Sequence, residues 1–480
     1  METFLWHDYE TWGANPSVDR PAQFAAIRTD RELNPVGKPV MLYCRPAPDM
    51  LPDPDACLIT GITPQVAAEK GVSEAEFIRR IHAEMMVPGT CSVGFNSIRF
   101  DDEITRFTLY RNFYDAYERE WKNGNSRWDL LDVLRLCACV RPEGIAWPVD
   151  EEGLPTFRLE KIAEANRIEQ KGAHDALVDV RATIDVARMI RQHQPKLFDY
   201  ALSLRYREKA GDVVAVGSGK PLLHVSGMFG SRYHCASVVL PLGLHPSNKN
   251  AVVCFDLRHA PEEFLALPVE EIRRRVFTPA AELGGEERIA LKSIHLNKSP
   301  MVAPVKMVDD LVAQRIGLDL AAVRKHYDAL MAAQPAWQKG IAVFQEKEFP
   351  PHSDPDQMLY SGGFFSRGDR ALMDRVVASP PGDLHGASFP FTDQRLPEML
   401  FRYRARNFPE TLDASEMNRW REFCFLRLTD SRYGATVVME RYQERLEDLF
   451  LQYEEDEQKS EILGQLNDWG DYLLSVCEGS

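Results

Sequence analysis

The sequence predicts a multi-domain α/β protein: a layer of alternating strands and helices, then a β-rich module, then a helical C-terminal domain. Three observations carry this. Strand-like and helix-like runs alternate from Phe4 to about residue 193, the pattern of an α/β layer. Short apolar runs punctuated by Gly and Pro occupy residues 212–258, which is strand patterning. Beyond Phe349-Pro350-Pro351 the apolar positions recur at helical spacing, as in Ala371–Ala378 and Glu440–Tyr453. With a second break after Gln194-Pro195, the expected domains are 1–194, 195–349 and 350–480. A chain of 480 residues exceeds one ordinary core, so such a division is required.

Composition narrows the function classes. An apolar content of 44% with 10% aromatic residues is that of a folded protein. A formal charge of −15 excludes a polycation that coats nucleic acid, while leaving room for a local basic groove. No stretch of eighteen apolar residues is present, so no membrane span is expected. The nine cysteines are scattered and form neither a disulfide framework nor a C-x-x-C zinc pair, which points to a reducing cytoplasm.

The first element, Phe4–Thr11, reads as a strand in which Asp8 and Glu10 share a face with Phe4 and Trp6. Adjacent carboxylates repel and lose hydration, and a divalent cation relieves both costs; a polar strand end carries the same pattern. By alternation His7 and Tyr9 face the other way. Phe24–Arg28 and Val40–Cys44 are further strands, followed by a proline-rich loop (Pro46, Pro48, Pro52, Pro54). Gly61 marks a turn and Thr63-Pro64 a helix start, and Glu74–Met86 is an amphipathic helix. Val93–Asn96 is a strand leading into a long helix opened by Asp101-Asp102-Glu103. These three carboxylates compete for one role at the mouth of a sheet, and each also suits a first helical turn. The expected helix carries Arg106 and Tyr110, with Phe113, Tyr117 and Trp121 repeating every four residues; such a stripe is either core or a stacking face.

In Ala173–Val180, Asp175 reads as a cap and Ala176, Val180, Ile184 and Ala187 as the apolar stripe of a helix. Asp179 lies inside that helix, and His174 just before it is placed to accept a proton from water. A surface histidine and a solvated carboxylate give the same pattern. In the β-rich module the expected strands are Val213–Val216, Ser237–Leu240 and Val252–Leu257, with helices near 268–276 and 318–333. Gly217-Ser-Gly-Lys220 is a turn: a phosphate loop would need a glycine at Val214 and Ser or Thr at Pro221.

Taken together, D-x-E on a first strand, Asp at a later strand–helix junction and H-x-x-x-x-D on a third element resemble the DEDD exonuclease superfamily in its histidine variant. Longer stretches are similar to its bacterial exodeoxyribonuclease I family: His7–Thr11, Arg20–Asp30, Ile59–Pro64, Arg99–Glu103, Ser126–Asp132, His224–Gly230 and Arg402–Pro409. The resemblance implies an RNase H-like exonuclease domain, an SH3-like module and a helical C-terminal domain. It implies a 3′→5′ exonuclease that degrades single-stranded DNA to 5′-mononucleotides in repair and recombination. Asp8, Glu10, Asp101 and Asp179 would hold two Mg²⁺ ions, with Mn²⁺ as a substitute, about 3.5–4 Å apart, and His174 would be the general base. Glu10 and Arg158 would hold the terminal nucleotide, Ile59–Ile62 would line the 3′-end pocket, and Arg106, Tyr117, Trp121 and Arg135 would contact DNA. Arg402–Arg406 would wall a groove, the alternative being a solvated helix face, and a channel enclosed by three domains would reject duplex. Arg141, Tyr200 and Lys220 match a basic dock for the acidic tail of single-stranded DNA-binding protein. A monomer without a membrane partner is expected. Two other readings are a 3′ RNA exonuclease, which is generally shorter, and a noncatalytic relic, which usually loses a metal carboxylate.

Overall fold

The computed structural model describes residues 2–169, 175–345, 353–386 and 388–478. His174 and the segment 346–352 lie outside the described residues. The chain divides into two compact units.

The first unit comprises residues 1–125, 171–181 and 350–480. Strand β1 (Thr3–Thr11) pairs antiparallel with β2 (Pro21–Thr29), which pairs antiparallel with β3 (Val40–Tyr43). On its other edge β1 runs parallel to β4 (Thr90–Gly94). Apolar residues on both faces of β1 are buried, as expected of a strand covered on two sides. Phe4 and Trp6 pack at 5.8 Å, and Trp6 Nε1 donates to Thr29 Oγ1 at 2.9 Å. On the opposite face His7 and Tyr9 pack on Phe24. Gly94 must be glycine, because a Cβ there would fall 2.6 Å from Ser97 Cβ and 2.9 Å from the His7 carbonyl oxygen.

The expected helices at Pro64–Lys70 and Glu74–Met85 are present, capped by Thr63 and Ser73. Pro54 opens a helix, Pro54–Thr60, that closes on Gly61 in the left-handed region. Helices Arg367–Ala378, Arg395–Asn407, Ala414–Thr429, Met439–Gln452 and Glu457–Glu478 form the C-terminal part of this unit. Their apolar faces join Trp12, Met50, Leu51 and Cys57 in one core cluster, and Tyr110 and Phe113 in another.

The second unit comprises residues 126–170 and 182–349. It contains β5 (Ser126–Asp129) and five antiparallel strands: β6 (Leu222–Val225), β7 (Ala236–Leu244), β8 (Ala251–Asp256), β9 (Leu291–His295) and β10 (Met301–Pro304). The last five form a sheet in the order β10-β6-β7-β8-β9. Helices Val269–Phe277 and Leu320–Ala332 lie where expected, and positive φ at Gly217 and Gly219 confirms the turn there.

Three expectations fail. Val213–Val216 is no strand: Arg207–Val214 is helical, because Ala210 and Val214 are spaced for a buried helical face and Ala215 ends it in the left-handed region. The helix from Asp101 stops at Arg111, with Phe113 at φ 67°, so no continuous aromatic stripe reaches Trp121. Asp115 instead caps the next turn through the N–H groups of Tyr117 and Glu118. Arg402, Arg404 and Arg406 form neither a groove wall nor a solvated face. They are buried in ion pairs.

Candidate active site

The strand pairing fixes where the first two carboxylates point. Asp8 opposes Ala25 and Glu10 opposes Gln23 on β2. Gln23 Oε1 in turn accepts from the N–H of Ala176, the first residue of helix Ala176–His193, at 3.2 Å. Asp175 caps that helix through Leu177 N–H at 3.0 Å, and Ala176, Val180, Ile184 and Ala187 are buried as the stripe requires. Asp179, one turn in, is thereby brought to β1: single oxygens of Asp8, Glu10 and Asp179 lie within 4.8 Å of one another.

Asp101 stands beside this triplet. Its Oδ1 accepts from the backbone N–H of Tyr9 at 3.0 Å, which ties the start of helix Asp101–Arg111 to β1. Its two competitors have other work. Asp102 pairs with the buried Arg119 at 2.6 Å, and Glu103 pairs with Arg106 at 2.7 Å. His7 is buried on the far face, where desolvation lowers its pKa to about 4. Tyr9 accepts a hydrogen bond from Thr105 there. Neither faces the carboxylates, as alternation requires.

Like charge gathered in a desolvated place is the electrostatic signature of the site. Burial holds the Asp8 carboxyl well above the usual range, and the charges of Asp101, Glu10 and Asp179 add to it. Burial, then Asp179, Asp101 and Asp175, push Glu10 up to about 8. Three converging oxygen donors that oppose one another's ionisation fit a hard divalent cation, which offsets the repulsion and accepts the oxygens as ligands.

The residues expected on DNA are placed differently. Trp121 is 64% exposed. Tyr117 is partly buried at a cavity of about 200 Å³, where it meets the exposed Phe364 edge-on at 6.2 Å. Arg106 is buried, held by Glu103 and Glu120 and donating to Tyr360 Oη at 3.0 Å, with its guanidinium 5.3 Å from the Tyr117 ring. Ile59 is exposed at a helix end, whereas Ile62 is in the core. In the second unit, Arg135 pairs with Asp132 at 2.7 Å and lies 5.8 Å from the Phe157 ring, and Arg158 is exposed at the start of helix Leu159–Ala165. Sequence reasoning missed Phe364 and Tyr360, exposed aromatics far along the chain; only their tertiary placement brings them to Tyr117 and Arg106.

Comparison with known proteins agrees along the whole chain. Family models match in three segments: an exonuclease domain over 5–187, an Exonuclease I SH3-like domain over 205–346 and an Exonuclease I C-terminal domain over 353–473. The chain is 44% identical to exodeoxyribonuclease I of Escherichia coli, covering 99% of this chain and 98% of that one. It is 41% identical to the Haemophilus influenzae exodeoxyribonuclease I, covering 98% and 99%. The structure matches a moderately thermophilic Exonuclease I from Methylocaldum szegediense with a TM-score of 0.94 at 48% identity, covering 99% and 100%. It matches E. coli Exonuclease I in complex with a dA16 oligonucleotide with a TM-score of 0.95 at 44% identity, covering 98% and 100%.

Proposed function

The chain belongs to the exodeoxyribonuclease I family, and we propose that it is a Mg²⁺-dependent 3′→5′ exonuclease that shortens single-stranded DNA to 5′-mononucleotides. Membership makes it an enzyme, an exonuclease acting on single-stranded DNA. The convergence of Asp8, Glu10 and Asp179, with Asp101 beside them, carries the finer reading.

Two divalent ions, Mg²⁺ or Mn²⁺ in its place, would supply positive charge to the phosphate oxygens and acidity to the attacking water. Asp8, Glu10 and Asp179 would hold them, and Asp101, oriented by Tyr9 N–H, would complete the acidic set. His174 takes the proton of the attacking water, a role typically worth about 10²–10⁴ in rate. Attack at phosphorus breaks its bond to O3′ of the penultimate nucleotide, so the phosphate leaves on the 5′ position of the released one. Glu10 and Arg158 hold that terminal nucleotide, with Ile59 at the 3′-end pocket. Trp121 and Tyr117 give bases a stacking surface, Arg106 braces it, and Arg135 adds positive charge.

The division 1–194, 195–349 and 350–480 is part of the same reading, supported by the three matched segments. So is a dock for the acidic tail of single-stranded DNA-binding protein: Arg141 and Tyr200 line one cavity of about 500 Å³ with Lys196 and Lys306, and Lys220 is the third matching position. Among the described residues no helix is long and apolar enough to cross a membrane. A monomer working in the cytoplasm, in DNA repair and recombination, fits this set.

The test is incubation of 3′- and 5′-labelled single-stranded DNA, duplex and RNA with Mg²⁺, with Mn²⁺ and with chelator. Stepwise loss of mononucleotides from the 3′ end of single-stranded DNA, abolished by chelator, is expected. Release from the 5′ end, metal-independent turnover or equal digestion of RNA would overturn the reading.

A further inference from the structure

The first unit holds a second cavity, built from the loop after β3, helices Arg395–Asn407 and Ala414–Thr429, and the last turns of helix Glu457–Glu478. Its volume is about 420 Å³, within the range of small-molecule sites. Among the described residues no carboxylate lines it: its charged groups are Arg45, Arg406 and Arg421, with Ser73 and Asn407 as further polar groups and the remainder aromatic, apolar or cysteine, in a chain with fifteen more acidic than basic residues.

The charges are of two kinds. Arg406 is 3% exposed and already neutralised, its Nε and one Nη bonded to Asp49 and Asp356. Among the described residues neither the partly buried Arg421 nor the exposed Arg45 has a carboxylate partner. Arg45 donates to the Gly71 carbonyl at 3.3 Å, and the partly buried Arg421 guanidinium makes no hydrogen bond or ion pair with the described residues. A partly desolvated guanidinium without a counter-charge favours an anion at its side. Trp469, Tyr472 and Trp420 also line the cavity; the first two pack at 5.0 Å, with Tyr472 half exposed. Trp469 is nine-tenths buried, and its Nε1 donor has no hydrogen-bond partner among the described residues.

We propose that this cavity is a binding site for a 5′-mononucleotide, with the phosphate on Arg421 and Arg45 and the base against Trp469 and Tyr472. Aromatic faces beside guanidinium groups take a base and its phosphate together. Because the ligand is the product of the reaction proposed above, the choice of nucleotide rests on that reading; the anionic and aromatic character of the site does not. Nucleotide held here is bound by residues other than Asp8, Glu10, Asp101 and Asp179.

Cys477 provides a local reporter, since it lines the cavity and is partly exposed while the other eight cysteines are buried. The full chain, in chelator so that the carboxylate site is not charged with metal, is titrated with dTMP, thymidine and inorganic phosphate. Maleimide labelling of Cys477 and tryptophan fluorescence are followed. Expected are saturable protection of Cys477 and quenching by dTMP, with much weaker effects of thymidine and phosphate. Arg421→Glu should weaken dTMP binding at least tenfold, Arg421→Lys should retain part of it, and both variants should keep wild-type DNA cleavage. No protection by dTMP, unchanged dTMP binding in Arg421→Glu and Arg45→Glu, or inorganic phosphate binding as well as dTMP would overturn the proposal. Failure of DNA cleavage with Cys477 protection intact would count against the proposed activity and leave this site standing.

Discussion

At the scale of single residues, the protein places charges where they cost stability. Burial with the charges of Asp101, Glu10 and Asp179 raises the pKa of Asp8, and burial with Asp179 and Asp101 that of Glu10, so the ionised cluster is destabilising and a bound cation would relieve it. Asp8→Ala should abolish metal-dependent cleavage while single-stranded DNA binding in chelator survives; retained turnover would refute the metal assignment. Asp8→Asn removes one of the opposed charges without changing shape. It should raise the thermal midpoint in chelator by about 2–4 °C, equal to about 1 kcal/mol in a large domain, and should lose the further rise that Mg²⁺ gives the wild type. A midpoint below wild type in chelator would show that the carboxylates do not oppose one another. Trp121 is different: at 64% exposure it contributes little to folding. Trp121→Ala should weaken binding to oligo-dT and oligo-dA alike by about 1–3 kcal/mol, the worth of one stacked base, with unchanged urea unfolding. Loss confined to one sequence would mean that the indole reads a base.

At the scale of elements, helix Arg395–Asn407 is the one whose chemistry its sequence conceals. Its basic run looks like a nucleic-acid face, yet Arg402 pairs with Asp354 and Asp356, Arg404 with Glu416, and Arg406 with Asp49 and Asp356. Asp49 also takes a two-point pair from Arg20 at 2.7 and 2.8 Å, so a helix late in the chain is locked to the loop after β3. Arg406→Ala leaves Asp49 and Asp356 short of a counter-charge and should cost about 3–5 kcal/mol in urea unfolding. A groove-wall role predicts the reverse, weakened DNA binding at full stability. Helix Asp101–Arg111 shows the opposite case. Its first-turn carboxylates are indistinguishable in sequence, and only their partners (Tyr9 N–H, Arg119 and Arg106) separate the site residue from its supports.

At the scale of the molecule, the buried ion network sets the response to acid. The guanidinium groups around Asp49, Asp356 and Glu74 hold all three carboxyls below their ordinary values. Depressed folded-state pKa values mean that the unfolded chain binds more protons, so this contribution is present above the unfolded carboxylate range and is lost as pH falls. The urea midpoint should therefore decline steadily below about pH 5, and the decline should be shallower in Arg406→Met, which has less of the network to lose. A midpoint flat down to pH 3 would sink this account. What the sequence determined by itself is whatever depends on neighbours along the chain. The alternation that sets Asp8 and Glu10 on one face, the cap at Asp175 with its buried stripe, and the glycine turns all follow from short-range sterics and periodicity. Periodicity left Asp101, Asp102 and Glu103 equivalent and the family resemblance singled out Asp101; only the tertiary structure showed that Asp101 stands beside Asp8 while Asp102 and Glu103 are held in ion pairs, that Arg402–Arg406 is interior, and that Phe364 and Tyr360 lie beside Tyr117 and Arg106. Most of these depend on partners distant in the chain, such as Tyr9 for Asp101 and Asp49 for Arg406, and a charge's role is set by what neutralises it in space.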